Sequence, residues 1–537
     1  MEKCFYEFVW SVVGVRCEAI MNDSLRSIAI VGNDLHAWSA AAKFASVLGE
    51  KRLGAESVSI TVVANGTAIT PSVLSFDTSV HDFHRDLGVQ EADMIAYVGG
   101  SYKYGTSYQN WRHSSAVDFL YTYSPAGRMI NRVYFHHYLN RLRLSGKDVG
   151  LEPFSISAMA ASEHRFTHPE PNSPLELIDY ALQFDGARYL QFLKSFALER
   201  GVTLITSNVE SVALDDESGL VSHLKLVNGD ELEADFFFDC SGERSQILGE
   251  ELGVKFTSWS DWFPCDRRMD IRRDSNAPTA LLNSLIQVGS GWMHAHSLPS
   301  VSVEQYSYCA DHISDDDVLE LAMAKSCDSK PGDSKSRDSS LDQSKCVVSQ
   351  APGVRERFWV GNCVALGAAA GFPEALYFDP LHATHTALDR WLELYPTKSA
   401  TALLAEQYNR STRQQYSYVR DVHALRLATI ADTHSLLAEN LADVEWPDSL
   451  RHRIDLFRST GQVALYDSDV LTNHQWVSML IGCGVWPERV DPLANSVPIA
   501  GLEQQLIAMA REVKQVVAKL PNHDALLSAI CATKSPT

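Results

Sequence analysis

Three groups of residues have types and spacings that could do chemistry. Asp379, His382 and His385 recur at i, i+3 and i+6, a spacing that lines one face of a helix, and His294 and His296 alternate as neighbours on one strand face would. Two imidazoles and a carboxylate are a ligand set suited to iron. Histidines in such positions are more often packed core or surface groups, so no metal is assigned. The second group is the turn Gly32-Asn33-Asp34-Leu35-His36-Ala37, which stands where a G-x-G-x-x-G/A dinucleotide fingerprint belongs. Gly32 supplies the tight turn, and Ala37, followed by Trp38, allows close helix packing. The middle glycine is Asp34. At about 4–5 Å and an effective dielectric near 20, its charge would repel a phosphate by about 3–4 kcal/mol. Alternatively Asp34 caps the following helix, and the fold is kept without a dinucleotide. The third is Lys103 in Gly100-Ser101-Tyr102-Lys103. In a dry site a lysine donates a strong hydrogen bond or, with its pKa lowered, acts as a nucleophile; on a surface it snorkels into water.

The elements that must position these groups are readable from periodicity. Ser27–Val31 is a short apolar run, then comes the glycine turn, an Ala-rich segment Ala37–Leu48 with helical spacing, and a second apolar run Val58–Val63. This strand-turn-helix-strand opening predicts a Rossmann-like α/β domain. Phe184–Gly201 has helical spacing, Val202–Ile205 reads as a strand, and Val221–Val227 with Glu231–Cys240 reads as a hairpin and a strand ending at Asp239-Cys240-Ser241-Gly242. Residues 357–394 read as a strand, a tight turn and a helix. Residues 325–348, rich in Ser, Asp and Lys, read as a solvated insertion loop. Beyond about residue 396 apolar spacing predicts helices, including Trp446–Gly461 and Leu502–Leu520. The organisation expected is an extension at 1–24, a discontinuous dinucleotide domain with interleaved substrate segments at 25–395, and a helical region at 396–537.

Composition narrows the partners. With 67 acidic against 46 basic residues the net charge is −21, which disfavours nucleic acid and anionic membranes, since both select clustered Lys and Arg. The N-terminal apolar run is too short to span a bilayer. The 10 cysteines include no Cys-x-x-Cys, a pattern of free thiols in a reducing cytoplasm.

Residues 359–374 read Trp-Val-Gly-Asn-Cys-x-Ala-x-Gly and then Gly-Phe-x-Glu, and this block resembles the flavin-dependent tryptophan halogenases. Further matching pieces are Phe184–Leu190 (FDGARYL), Trp446–Leu450 (WPDSL) and Leu520–His523 (LPNH), which extend the resemblance over about residues 25–525. The resemblance implies an FAD-binding domain of the flavin monooxygenase type, with Gly32, Asp34, Ala37, Trp38, Asp239, Ser241, Gly242, Asn362 and Gly367 at the cofactor. It places the family's catalytic lysine at Lys103, sixteen residues after Leu87 of Leu87-Gly88-Val89. The family's partner glutamate, in E-P-L-E-S-T-G, falls on Tyr377 in a gapless alignment that starts at Glu374 and puts Asp379 at the halide site. With a gap, Phe378-Asp379-Pro380-Leu381 takes the F-x-D-P-like pattern of phenol-type halogenases and Asp379 becomes the carboxylate. Both alignments stand at this point. The W-x-W-x-I-P signature, thought to keep substrate from the flavin, falls on Trp292-Met293-His294-Ala295-His296-Ser297 and keeps only its first tryptophan.

By resemblance the function is halogenation of an aromatic, tryptophan- or indole-like substrate with halide and reduced FAD. A separate flavin reductase would supply the reduced cofactor, because no second dinucleotide fingerprint is present, and a homo- or heterodimer is implied. Two alternatives remain: a degenerate halogenase serving as a binding or regulatory partner, and a flavin monooxygenase that does not use halide.

Overall fold

The computed structural model describes residues 24–49, 57–64, 70–111, 118–147, 149–289, 291–327, 345–372, 379, 381–398, 402–430, 441, 443–467 and 469–533. Glu374, Tyr377 and most of the 1–24 extension lie outside the described residues. The β-branched run Ser27–Val31 is buried almost throughout, as the centre of a parallel sheet must be. It is the fourth strand of a six-stranded sheet, ordered Trp359–Val360, Cys363–Ala365, Phe236–Asp239, Ser27–Val31, Ser59–Val63 and Thr203–Ile205. Every neighbouring pair is parallel except the first. The Ala-rich helix Leu35–Leu48 covers this sheet: Phe44 packs on Phe238 at 4.7 Å between ring centroids and on Trp391 of the helix His382–Glu393 at 5.2 Å. This is the Rossmann-like α/β fold expected from the strand-turn-helix-strand opening.

Strands of two further sheets alternate along the chain with those of the first. One is seven-stranded and built around the meander Leu282–Val288, Gly291–Leu298 and Val301–Tyr308. The other is three-stranded, with Ala181–Asp185 between Val73–Ser75 and Ser101–Lys103. The helix expected from residue 184 begins at Gly186 instead. Phe184 and Asp185 finish the strand, because Asp185 caps the helix by accepting a hydrogen bond from the Arg188 N–H at 3.0 Å. The limits expected for the 325–348 loop are narrowed too, since a helix runs to Cys327 and a strand starts at Lys345. The helices Ala402–Ile430, Asp448–Thr460, Asn473–Gly482, Ile499–Val517 and His523–Thr533 make up most of the C-terminal region. No helix among the described residues is long and apolar enough to cross a membrane.

Gly32 ends the first strand at φ 152°, where an added Cβ would stand 2.4 Å from the Cys240 carbonyl oxygen. Gly32→Ala is expected to destabilise the fold by about 1–3 kcal/mol from backbone strain alone, read as a lower urea midpoint with an unchanged slope.

Candidate active site

Lys103 ends a strand of the three-stranded sheet and is 0% exposed. Its Nζ donates to Ser75 Oγ at 2.5 Å, and Asn283 Nδ2 of the seven-stranded sheet donates to the same oxygen at 2.8 Å. Tyr123 lies below the amine, with its ring centre 5.5 Å from Nζ. Burial pulls the Lys103 pKa down to about 7, against the opposing pull of the Asp379 and Asp77 charges. Two carboxyls, Asp379 and Asp77, thus act on the Lys103 amine.

Asp379 is held by backbone amides. Its Oδ2 accepts from the Asp77 N–H at 2.9 Å, and its Oδ1 accepts from the N–H groups of Leu381 and His382 at 2.9 and 3.0 Å. Burial, followed by the charge of Asp77, pushes its pKa up to about 8. Asp77 is the stronger acid of the two. Burial works against its charge, but the His382 imidazolium and the Ser79 hydroxyl hold its carboxyl well below the usual range. His382 Nδ1 lies 2.8 Å from Asp77 Oδ2, and although burial opposes the imidazolium, Asp77 lifts the His382 pKa to about 9. Near neutrality the cluster thus holds a largely neutral acid at Asp379, an amine at Lys103 that is protonated only in part, and an ion pair at Asp77 and His382.

This arrangement separates the histidines that sequence spacing put together. His385 stacks on Phe83 at 3.8 Å, away from the Asp77 pair. His294 and His296 sit on the seven-stranded sheet, and burial lowers the pKa of both, that of His296 to about 3. His296 Nε2 donates to Gln305 Oε1 at 3.0 Å, an assignment fixed by the Gln305 amide, whose Nε2 donates to Asp270. Among the described residues, the group whose ligand-type atoms lie within 4.8 Å of one another is Asp77, Asp379 and His382. Those atoms already bond to each other and to backbone amides, beside a lysine, which is the chemistry of an ion-pair cluster.

A chamber of about 140 Å³ opens on Asp77, His382 and Tyr123. Asp77, Ser75, Asn283 and Tyr123 carried no motif and could not be found from spacing alone.

The dinucleotide turn is differently occupied. Asp34 Oδ1 accepts from the N–H groups of His36 and Ala37 at 3.0 Å each, so the start of the helix already holds the chain's own anion. The His36 ring lies against Gly367, where an added Cβ would come within 2.4 Å of its Cγ, and its Nδ1 bonds Thr384 Oγ1 at 2.8 Å. Trp38 is core, its indole N–H on Asn33 Oδ1 at 3.2 Å. Asp239 accepts from Ser241, Ser245, Ile247 and Leu248, and Gly242 follows at φ 79°. Asn362 spends its amide on the backbone of Val221 and Asp235.

With this geometry in place, the tryptophan halogenase family profile matches residues 27–499. The chain belongs to the tryptophan halogenase family. Tryptophan 7-halogenase KtzQ from Kutzneria sp. (strain 744) is 24% identical, the match covering 94% of this chain and 99% of that protein. Among solved structures, the flavin-dependent halogenase BrvH from Brevundimonas sp. BAL3 matches with a TM-score of 0.85 at 26% identity, covering 94% of this chain and 99% of its own. Xcc4156, a flavin-dependent halogenase from Xanthomonas campestris, matches with a TM-score of 0.86 at 26% identity, covering 96% and 100%. This tryptophan halogenase family member thereby takes its place in a family of oxidoreductases. Its first turn, as arranged, does not fit a dinucleotide diphosphate, because the Asp34 carboxylate occupies the amides that a phosphate would use.

Asp34→Gly removes that carboxylate and, at a helix cap, costs only a few tenths of a kcal/mol. The variant is expected to bind FAD at least tenfold more tightly than the wild type in a fluorescence titration, with little change in melting temperature.

Proposed function

We propose that this chain halogenates a small aromatic substrate, with Lys103 as the amine that carries the halogen and Asp379 as the acid and base beside it. The observation that supports this reading is the fully buried Lys103, its pKa pulled down to about 7 next to a carboxyl pushed up to about 8. A bound flavin, reduced by a separate reductase, would supply the two-electron oxidation of halide by oxygen. To dock at the first turn it has to displace the Asp34 carboxylate from the helix.

Transfer of the halogen to the ring needs only the chain's own residues. The neutral Lys103 amine attacks the halogen of hypohalous acid, and Asp379 gives its proton to the departing hydroxide, which leaves as water. The N-halogenated lysine passes the halogen to the ring, and the nitrogen recovers its electron pair. Asp379, now a carboxylate, takes the ring proton, so hypohalous acid and arene become haloarene and water with both residues restored. The Asp77–His382 ion pair stays charged throughout and holds the amide frame around Asp379.

The filled dinucleotide turn favours a second reading, a protein that keeps fold and chamber but serves as the binding partner of an intact relative. The two separate on product. Incubated with FAD, a flavin reductase, bromide and electron-rich arenes, the wild type is expected to give haloarene and Lys103→Met none. Lys103→Met is also expected to raise the melting temperature. A folded-state pKa near 7 against an ordinary 10.5 means that the wild type carries the full penalty of a buried charge below pH 7 and loses it as the pH rises towards 10.5. The gain should therefore be largest at pH 6 and small at pH 10. A lysine whose replacement abolishes product but lowers stability at pH 6 would be structural.

A further inference from the structure

The chamber beside the Asp77–His382 pair has walls of two kinds. Val419 and Val422 of the helix Ala402–Ile430 form an apolar side with Leu471, while Tyr121 and Tyr123 present aromatic rings. Asp179 lines the chamber as well. Its Oδ1 accepts from the Tyr180 N–H at 3.0 Å, and among the described residues no lysine, arginine or histidine is ion-paired with it. The neighbouring histidines are engaged elsewhere, His474 Nε2 with the Tyr123 carbonyl at 2.9 Å and His81 Nε2 with the Tyr180 carbonyl at 2.9 Å. The other carboxylate of the wall, Asp77, is matched by His382. The remaining histidine of the wall, His423, is kept from protonation by burial, so the chamber has one carboxylate more than it has cations, and two tyrosine rings with which a cation would interact favourably.

Size sets the other limit. At about 140 Å³ the chamber is close to the ~150 Å³ of an apolar protein cavity that takes benzene. That is room for one ring and not for two fused rings.

We propose that the chamber binds a one-ring aromatic substrate carrying an alkylammonium group, with Asp179 as the residue that anchors the ammonium. This rests on the halogenase reading for the chemistry but not for the binding. The apolar side and the tyrosines receive the ring, Asp179 fixes the charged end, and substrates that lack the charge lose that anchor.

The test is calorimetric titration of the full chain, without flavin or halide, using tyramine and its uncharged counterpart 4-propylphenol. Tyramine is expected to bind at least tenfold more tightly. Asp179→Asn, which retains an oxygen for the Tyr180 amide and so the local turn, should bring tyramine to the level of 4-propylphenol and leave the latter unchanged. Val422→Phe, which fills the chamber, should weaken both ligands while the melting curve stays cooperative. Equal affinities for the two ligands, a tyramine affinity untouched by Asp179→Asn, or no binding to a normally folded wild type would each overturn the assignment. Charge-selective binding without haloarene formation counts against the halogenase reading alone. Haloarene formed equally from uncharged arenes supports that reading and overturns this one.

Discussion

An amine buried between two sheets is the constraint on which the site is built. Removing an ammonium from water is costly unless other charges compensate, and the protein sets two acids, Asp77 and Asp379, against the charge of Lys103. The compensation is incomplete, which is why the Lys103 pKa falls to about 7. A fully matched ammonium would be a stable but inert ion pair. Partial matching leaves a lone pair on nitrogen near neutrality, which is what nucleophilic work on an electrophilic halogen needs.

The two acids divide the work by environment. Asp77 meets His382 directly and stays charged, whereas Asp379 is given three backbone amides and, among the described residues, no ion pair, in a buried site next to another negative charge. Amides steady Asp379 geometrically without lowering its pKa enough to prevent it from holding a proton. Pairs of titratable groups driven apart in this way are what acid and base chemistry at one pH requires.

The amine site and the dinucleotide turn are mechanically linked. Asp379 fixes the start of the helix His382–Glu393, and within its first turn Thr384 takes the bond from His36, whose ring covers Gly367. Any group that enters at the first turn of the dinucleotide domain has to move the Asp34 carboxylate and meets the His36 ring. A change at that turn therefore reaches the helix that starts at His382, beside Asp379.

The first strand, the Ala-rich helix and the C-terminal helices were legible because apolar period and turn chemistry are local properties. Asp34 as a cap was equally legible, since Asp before a helix satisfies amides two and three residues on whatever the rest of the chain does. The helix expected from Phe184 was misjudged by two residues, because the apolar run of a buried strand merges with the helix that succeeds it. Lys103 was singled out by its motif, but its surroundings, Ser75, Asp77 and Asn283, come from separate strands and loops and have no spacing in common. His385 and His382 show the same limit: three residues apart on one helix, they meet Phe83 and Asp77 respectively. The sequence by itself determined the family and the order of elements, because those depend on patterns within short stretches of chain. Only the tertiary structure decided how deeply Lys103 is buried, which way its pKa and those of Asp77 and Asp379 move, and how large the chamber is, because solvation and Coulomb energies depend on distances between segments that are remote along the chain.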